Sequence, residues 1–135
     1  MALDMMQQIA RSMHEEEVIR QGLQLYQMLY AATEVCFIPL SPEGRPVMPI
    51  SSGFSLPADS ERIRSAACSL TAAYQLLPGG CGFMLRVEHG EQQLGVLWID
   101  GIPLPEYLNQ YLGLALDTVA IWGMGLCNAR SFRQL

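Results

Sequence analysis

Residues 82–100 read GFMLRVEHGEQQLGVLWID. Two apolar runs flank HGEQ, a polar turn containing glycine, which is the pattern of a β-hairpin. With a two-residue turn at Gly90 and Glu91, Val87 faces Leu94, Leu85 faces Val96 and Phe83 faces Trp98. Side chains alternate along a strand, so all of these lie on one side of a sheet. That side is wholly apolar and requires a large helical cover. The other side carries Met84, Arg86, Glu88, Gln93, Gly95, Leu97 and Ile99 and is mixed. A charge in mid-strand needs a partner or a ligand. Arg86 either pairs with an acid such as Glu88 at a wet face, or reaches into a cavity toward an anionic or carbonyl group.

The flanking segments supply the cover. Upstream, Leu3, Met6, Ile9 and Met13 step at helical spacing; the HEEE run interrupts them. Val18, Gly22, Leu25, Tyr26 and Leu29 then resume the spacing as a second helix. EVCFIPL is short, β-branched and aromatic, and reads as a buried strand. SPEG is a turn. RPVMPISS follows as a strand that its two prolines confine to a sheet edge. After the loop SGFSLPADS, Asp59 or Ser60 can cap a helix whose stripe is Ile63, Ala66, Ala67, Leu70, Tyr74 and Leu77; LLPGG ends it. Downstream of the hairpin, DGIPLP is a loop with Pro105 at a helix first turn. Along the last helix Leu112, Ala115, Val119, Trp122 and Leu126 form one helical row. The order is α-α-β-β-α-β-β-α. This is an α+β fold, an antiparallel sheet with the N- and C-terminal helices on one face and a shorter helix on the other.

Composition narrows the function. The chain has 135 residues, suited to one domain spanning 1–135; half are hydrophobic and 16% are charged. Net charge is −5, and all eight basic residues are scattered arginines. Nucleic-acid binding requires clustered positive charge, so that class is excluded. The N-terminus lacks the basic start and apolar core of a signal peptide. Residues 111–127 are apolar apart from Asp117 and Thr118. An aspartate at the centre of a membrane span is costly, so this reads as a buried helix without membrane insertion. The four cysteines, Cys36, Cys68, Cys81 and Cys127, form no C-x-x-C pair and no zinc-spaced cluster with histidine. They read as reduced, largely buried thiols of a cytoplasmic protein.

No constellation supports catalysis. The serines have no histidine at readable triad spacing, and SPEGRP has too few glycines for a phosphate loop. His14 beside Glu15–Glu17 reads as a solvated helix break, and His89 as a turn residue. Two histidines cannot build a three-histidine metal site, and neither makes a persuasive haem ligand. No metal or cofactor is implied.

The sequence resembles a GAF domain. QQLGVLWIDG, followed by an apolar helix ending LCNARSFRQL, is similar to that family's closing strand and helix. The matching residues are Leu94, Gly95, Val96, Leu97, Asn128, Ala129, Arg130, Phe132 and Leu135. QQIARSMHEEEVIRQGLQLYQMLYAATEVCFIPLS resembles its opening helices and first strand. About two thirds of the chain is covered. The interval from Ser51 to Gly82 is shorter than in typical members, which leaves room for a small pocket or none. The bilin-binding cysteine–histidine motif, the three-cysteine pattern of methionine sulfoxide reductase members and the cyclic-nucleotide signature are not present.

The resemblance implies a non-enzymatic sensory module. Its terminal helices pair in a homodimer bundle and continue into an effector such as a histidine kinase or a diguanylate cyclase. The open C-terminal helix, with no glycine or proline stop, fits such a transmission arm. The expected ligand-facing residues are Arg86, Met84, Leu97, Tyr74, Cys36 and Ile38. The expected dimer-facing residues are Met6, Met13, Leu112, Ala120, Gly123 and Leu126. Two other readings stay open. One is a ligand-free dimerisation or relay scaffold. The other is a redox sensor using Cys36, Cys68 or Cys81.

Overall fold

The computed structural model describes residues 15–52 and 59–133. The expected helix through Met6 and Met13, His14, the loop at 53–58 and Leu135 lie outside them. Helix α1 is Glu15–Tyr30, followed by strands β1 (Glu34–Pro39) and β2 (Ile50–Ser51). Helix α2 (Ser60–Cys68) leads to β3 (Tyr74–Leu76) and the hairpin β4 (Phe83–His89) and β5 (Gln92–Asp100). A single 3₁₀ turn, Pro105–Tyr107, opens helix α3, Leu108–Arg133. The strands form one antiparallel sheet in the order β2-β1-β5-β4-β3. Strand β2 is reduced to two residues after Pro46 and Pro49 and lies at the sheet edge, where prolines that lack ladder donors are tolerated.

Two cores sandwich the sheet. Helices α1 and α3 pack on the face of Val35, Phe37, Phe83, Leu85, Val87, Leu97 and Ile99. Helix α2 covers the face of Cys36, Ile38, Met84, Val96 and Trp98. The seam between α1 and α3 is polar as well as apolar. Trp122 Nε1 donates to Val18 O at 2.9 Å, Tyr26 and Thr118 share a hydroxyl bond of 2.9 Å, and Tyr30 OH donates to Tyr111 O at 2.9 Å. Thr118, one of two polar breaks in an apolar stretch, is thus a buried partner rather than a surface residue. The same helix α3 has the length and composition to cross a bilayer, but half of that stretch is buried in this fold, as expected of a core helix.

The structure corrects several expectations. The turn at Gly90 and Glu91 is present, with His89 opposite Gln92. A bulge follows: Val87 pairs with Gly95, leaving Leu94 as an extra residue on β5. Beyond it the register differs by one from the regular hairpin. Leu85 pairs with Leu97, Phe83 with Ile99, Met84 with Trp98 and Arg86 with Val96. A one-residue shift exchanges faces. Leu97 and Ile99 therefore join the α1–α3 core, and Val96 and Trp98 move beside Arg86. Leu94 still points toward α1 and α3, because the bulge places it there together with Gly95. A β-carbon at Gly95 would lie 2.5 Å from the Phe37 ring, so Leu94 supplies the side chain that Gly95 cannot.

Helix α2 is shorter than its apolar stripe. Ser69 Oγ donates to Ala66 O at 2.7 Å and its N–H bonds to the last carbonyls, closing the helix locally. Tyr74 lies on edge strand β3 instead. Asp59 occupies the cap position of α2 without a capping bond; its carboxylate accepts from Arg62 at 3.2 Å. The cysteines also differ from expectation: Cys36 is buried, Cys68 is exposed, and Cys81 and Cys127 are intermediate.

Candidate functional site

The bulge, the end of α2 and the β1–β2 loop meet at a cavity of about 90 Å³. Arg86 reaches it from mid-β4, with Val96, Gly95 and Gln93 beside it on β5. Ala67, Cys68 and Leu70 close it from α2, and Leu40, Gly44 and Pro46 from the loop. The loop is held by its turn. Gly44 takes a positive φ of 80°, its N–H donates to Ser41 O at 2.8 Å, and Leu40 bridges to Pro46. Leu40 N also donates to Leu94 O at 3.1 Å, which ties the loop to the bulge.

Arg86 is half-buried, and its backbone N–H donates to Ala73 O at 2.9 Å. The guanidinium donates to Leu70 O at 3.5 Å, the limit of a hydrogen bond. Among the described residues no carboxylate stands within ion-pair distance of it, Glu88 included. No acid among those residues lines the cavity either.

Of the other expected ligand-facing residues, Met84, Cys36 and Ile38 share the Arg86 face but are packed solid beneath α2 with Ile63 and Trp98. Leu97 is on the opposite face, as the bulge dictates. Tyr74 pairs with Leu85, so it too faces the other way, 44% exposed at the sheet edge. Gln93 and Val96 are among the liners that were not expected, with Leu40, Gly44 and Pro46 of the loop. Gln93 was legible on the Arg86 face, but nothing in the chain marked the bulge that brings Val96 there.

Burial pushes the Cys36 thiol up to about 12, with a smaller push from the charge of Glu34. Cys36 is therefore a protonated core residue at neutral pH.

The expected dimer contacts are largely internal. Leu112 and Leu126 are buried in the core, and a β-carbon at Gly123 would lie 2.5 Å from Glu88 O. These three pack within the chain and are unavailable to a partner. Gly123 rests on the β4 backbone at Glu88. Ala120 is exposed, in an outward row on α3 with Gly113, Asp117 and Met124. Met6 and Met13 are outside the described residues.

A wider groove of about 640 Å³ adjoins the cavity and shares Leu40, Gly44 and Gln93 with it. It runs past the hairpin tip to Glu15 and Arg130, which are bonded at 2.6 Å between the start of α1 and the end of α3. Cys127 Sγ donates to Gln92 Oε1 at 3.0 Å on the same side. Among the described residues no group of three or more histidine, cysteine or acid side chains could hold a metal ion.

The whole fold matches a known structure, the native GAF domain of the potassium sensor histidine kinase KdpD from Escherichia coli. The match has a TM-score of 0.70 over 99% of this chain and 96% of that one, at 16% identity. The chain has a GAF-like fold. No protein-family model matches it, and no curated protein does. In this GAF-like domain the cavity lies on the α2 side of the sheet, and the helix termini lie on the other side. The bulge at Leu94 links the two: its carbonyl belongs to the cavity loop and its side chain to the helix core.

Proposed function

We propose that this GAF-like domain is the input module of a signalling protein. A small molecule in the Arg86 cavity shifts the balance between two arrangements of α1 and α3, and those helices pass the change to an effector such as a histidine kinase or a diguanylate cyclase. The observation that carries this reading is Arg86 itself, a half-buried guanidinium without a carboxylate partner among the described residues, aimed at a cavity. The likeness to a domain of a sensor histidine kinase supports a sensory role by analogy of fold. A route for the signal is available. Gln93 and Gly95 line the cavity, the adjoining Gln92 contacts Cys127 on α3, and Glu88 O lies under Gly123. A ligand that prefers one arrangement of the hairpin would bias α3 by its difference in affinity. The domain itself performs no chemistry, works in the cytoplasm and dimerises through the outward row of α3.

Gently ionised native mass spectrometry of the chain tests this directly. The expected result is a dimer with a stoichiometric added mass, the dimer weakened by Ala120→Arg and the added mass lost in Arg86→Gln. A monomer without added mass at any protein concentration overturns the proposal.

A second reading is a ligand-free relay scaffold. It is favoured by the size of the cavity, about 90 Å³ against the roughly 300–1,000 Å³ of ordinary ligand pockets. A clean dimer without added mass would select it. The cysteine-sensor reading now rests on Cys68 and Cys81, since Cys36 is held protonated.

A further inference from the structure

We infer that the Arg86 cavity takes a small carboxylate or inorganic oxyanion. This rests on the sensor reading above and names the chemistry of its ligand. Three observations converge on it. First, the chain carries a net charge of −5, yet among the described residues the only charged one lining this cavity is Arg86. A single positive charge without an acid among the described liners favours an anionic ligand. Second, a guanidinium offers five N–H donors in a planar fork, which matches a carboxylate or oxyanion edge with two parallel bonds. Among the described residues only the Leu70 carbonyl engages it, at 3.5 Å, which leaves most of the fork to a ligand. Gln93 and Cys68 place an amide and a thiol on the same cavity, both able to donate to an anion. Third, the volume limits what the cavity itself, as distinct from the adjoining groove, can hold beside Arg86. At ~30 Å³ per water, 90 Å³ holds about three waters, or an anion of about three to five non-hydrogen atoms. Nucleotides, cyclic nucleotides and tetrapyrroles are far larger. Formate, acetate, nitrate and phosphate are within or near the limit.

The geometry also explains how so small a ligand would be felt. An anion bridging Arg86 and Gln93 would span β4 and β5 across the bulge, the one place in the hairpin where the ladder is interrupted. Bound there, it would substitute for the missing regularity and stiffen the hairpin tip that touches α3.

The test is thermal unfolding of the whole chain at pH 7 and constant ionic strength, with chloride replaced in turn by acetate, formate, nitrate or phosphate. Acetamide, the neutral analogue of acetate, is the control. At a tenfold excess over Kd the matching anion should raise Tm by about 5 °C. The rise should saturate, and Arg86→Gln should abolish it. An equal response to acetamide, or an undiminished response in Arg86→Gln, overturns the inference. If Arg86→Gln does not fold, saturable amide shifts at Arg86, Gln93 and Leu70 in the unmodified chain decide instead, and their absence overturns it. A neutral molecule retained in native mass spectra, with no anion response, would leave the sensor reading standing and sink the anion. Absence of both would sink the two together.

Discussion

Trp122 occupies the space that a side chain at position 22 would need. A β-carbon on Gly22 would fall among the indole atoms, 2.7 Å from Cζ2, and the indole is fixed by its bond to Val18 O and by edge contacts with Tyr26 and Phe37. Helices α1 and α3 can approach only because one of them carries no side chain at the crossing. Gly22→Ala should destabilise the domain by ~1–3 kcal/mol through overpacking. Trp122→Phe added to it should recover part of that loss. Urea unfolding followed by circular dichroism reads both; if the double variant is no better than the sum of the single ones, the clash is not the cause.

Ala31 ends α1 in the left-handed region, at φ 52°, with its N–H bonded to Gln27 O at 2.9 Å. Glycine holds this helix-terminating conformation without the strain of a β-carbon. Ala31→Gly should therefore stabilise the domain by ~0.5–1 kcal/mol, the reverse of the usual effect of glycine. A lower denaturation midpoint would contradict the assigned conformation.

These two positions mark what was legible in the sequence and what was not. The apolar row on α3, from Leu112 to Leu126, was plain from its spacing, because a helix repeats its contacts over many residues. So was the hairpin turn, because Gly90 sits between two apolar runs. The register beyond the turn was not. A bulge needs one residue out of place, and no periodicity records a single event. Tyr74 continues the apolar stripe of α2 in the sequence, and nothing about Ser69 there signals that it closes the helix. For the site, Arg86 stood out because its charge broke an apolar pattern. Leu97 was placed on its face by a regular ladder that the bulge removes. Leu112, Gly123 and Leu126 do not reveal their neighbours, because small and apolar residues on a helix look alike whether they meet a sheet or a second helix.

Tyr26 and Thr118 satisfy each other in the core. Thr118→Val leaves the phenol without its partner and should cost ~1–3 kcal/mol, whereas the double variant with Tyr26→Phe should cost less than Thr118→Val alone. Burial raises the phenol pKa of Tyr26 and of Tyr30 above the ordinary value of 10. The folded chain thus keeps those protons when the unfolded chain loses them. The corresponding stability is fully present below pH 10 and is lost as the pH rises toward the folded-state values. Urea midpoints should fall above pH 10, and less steeply in Tyr26→Phe; parallel profiles would show that another group is responsible.

Thiol labelling should separate the cysteines. Cys68 is exposed and should react with a disulfide reagent at pH 8 within the mixing phase, and Cys68→Ser should remove that phase. Cys36, pushed up to about 12, should label only at the rate of global unfolding. Fast labelling of Cys36 in the native chain would mean that α2 opens readily and exposes the core beneath it.

The extra residue at Leu94 has a consequence for the length of the chain. The hairpin already pairs His89 with Gln92 and Glu88 with Gln93, so without Leu94 the next pair would still be Val87 with Gly95. Leu94 is thus the one place on β5 where a residue can be lost while every other cross-strand partner is kept. Deleting any residue from 96 to 98 would instead exchange the two cores for part of the strand. Relatives one residue shorter in this hairpin should carry their gap at Leu94. Their cavity floor would then be an unbroken ladder.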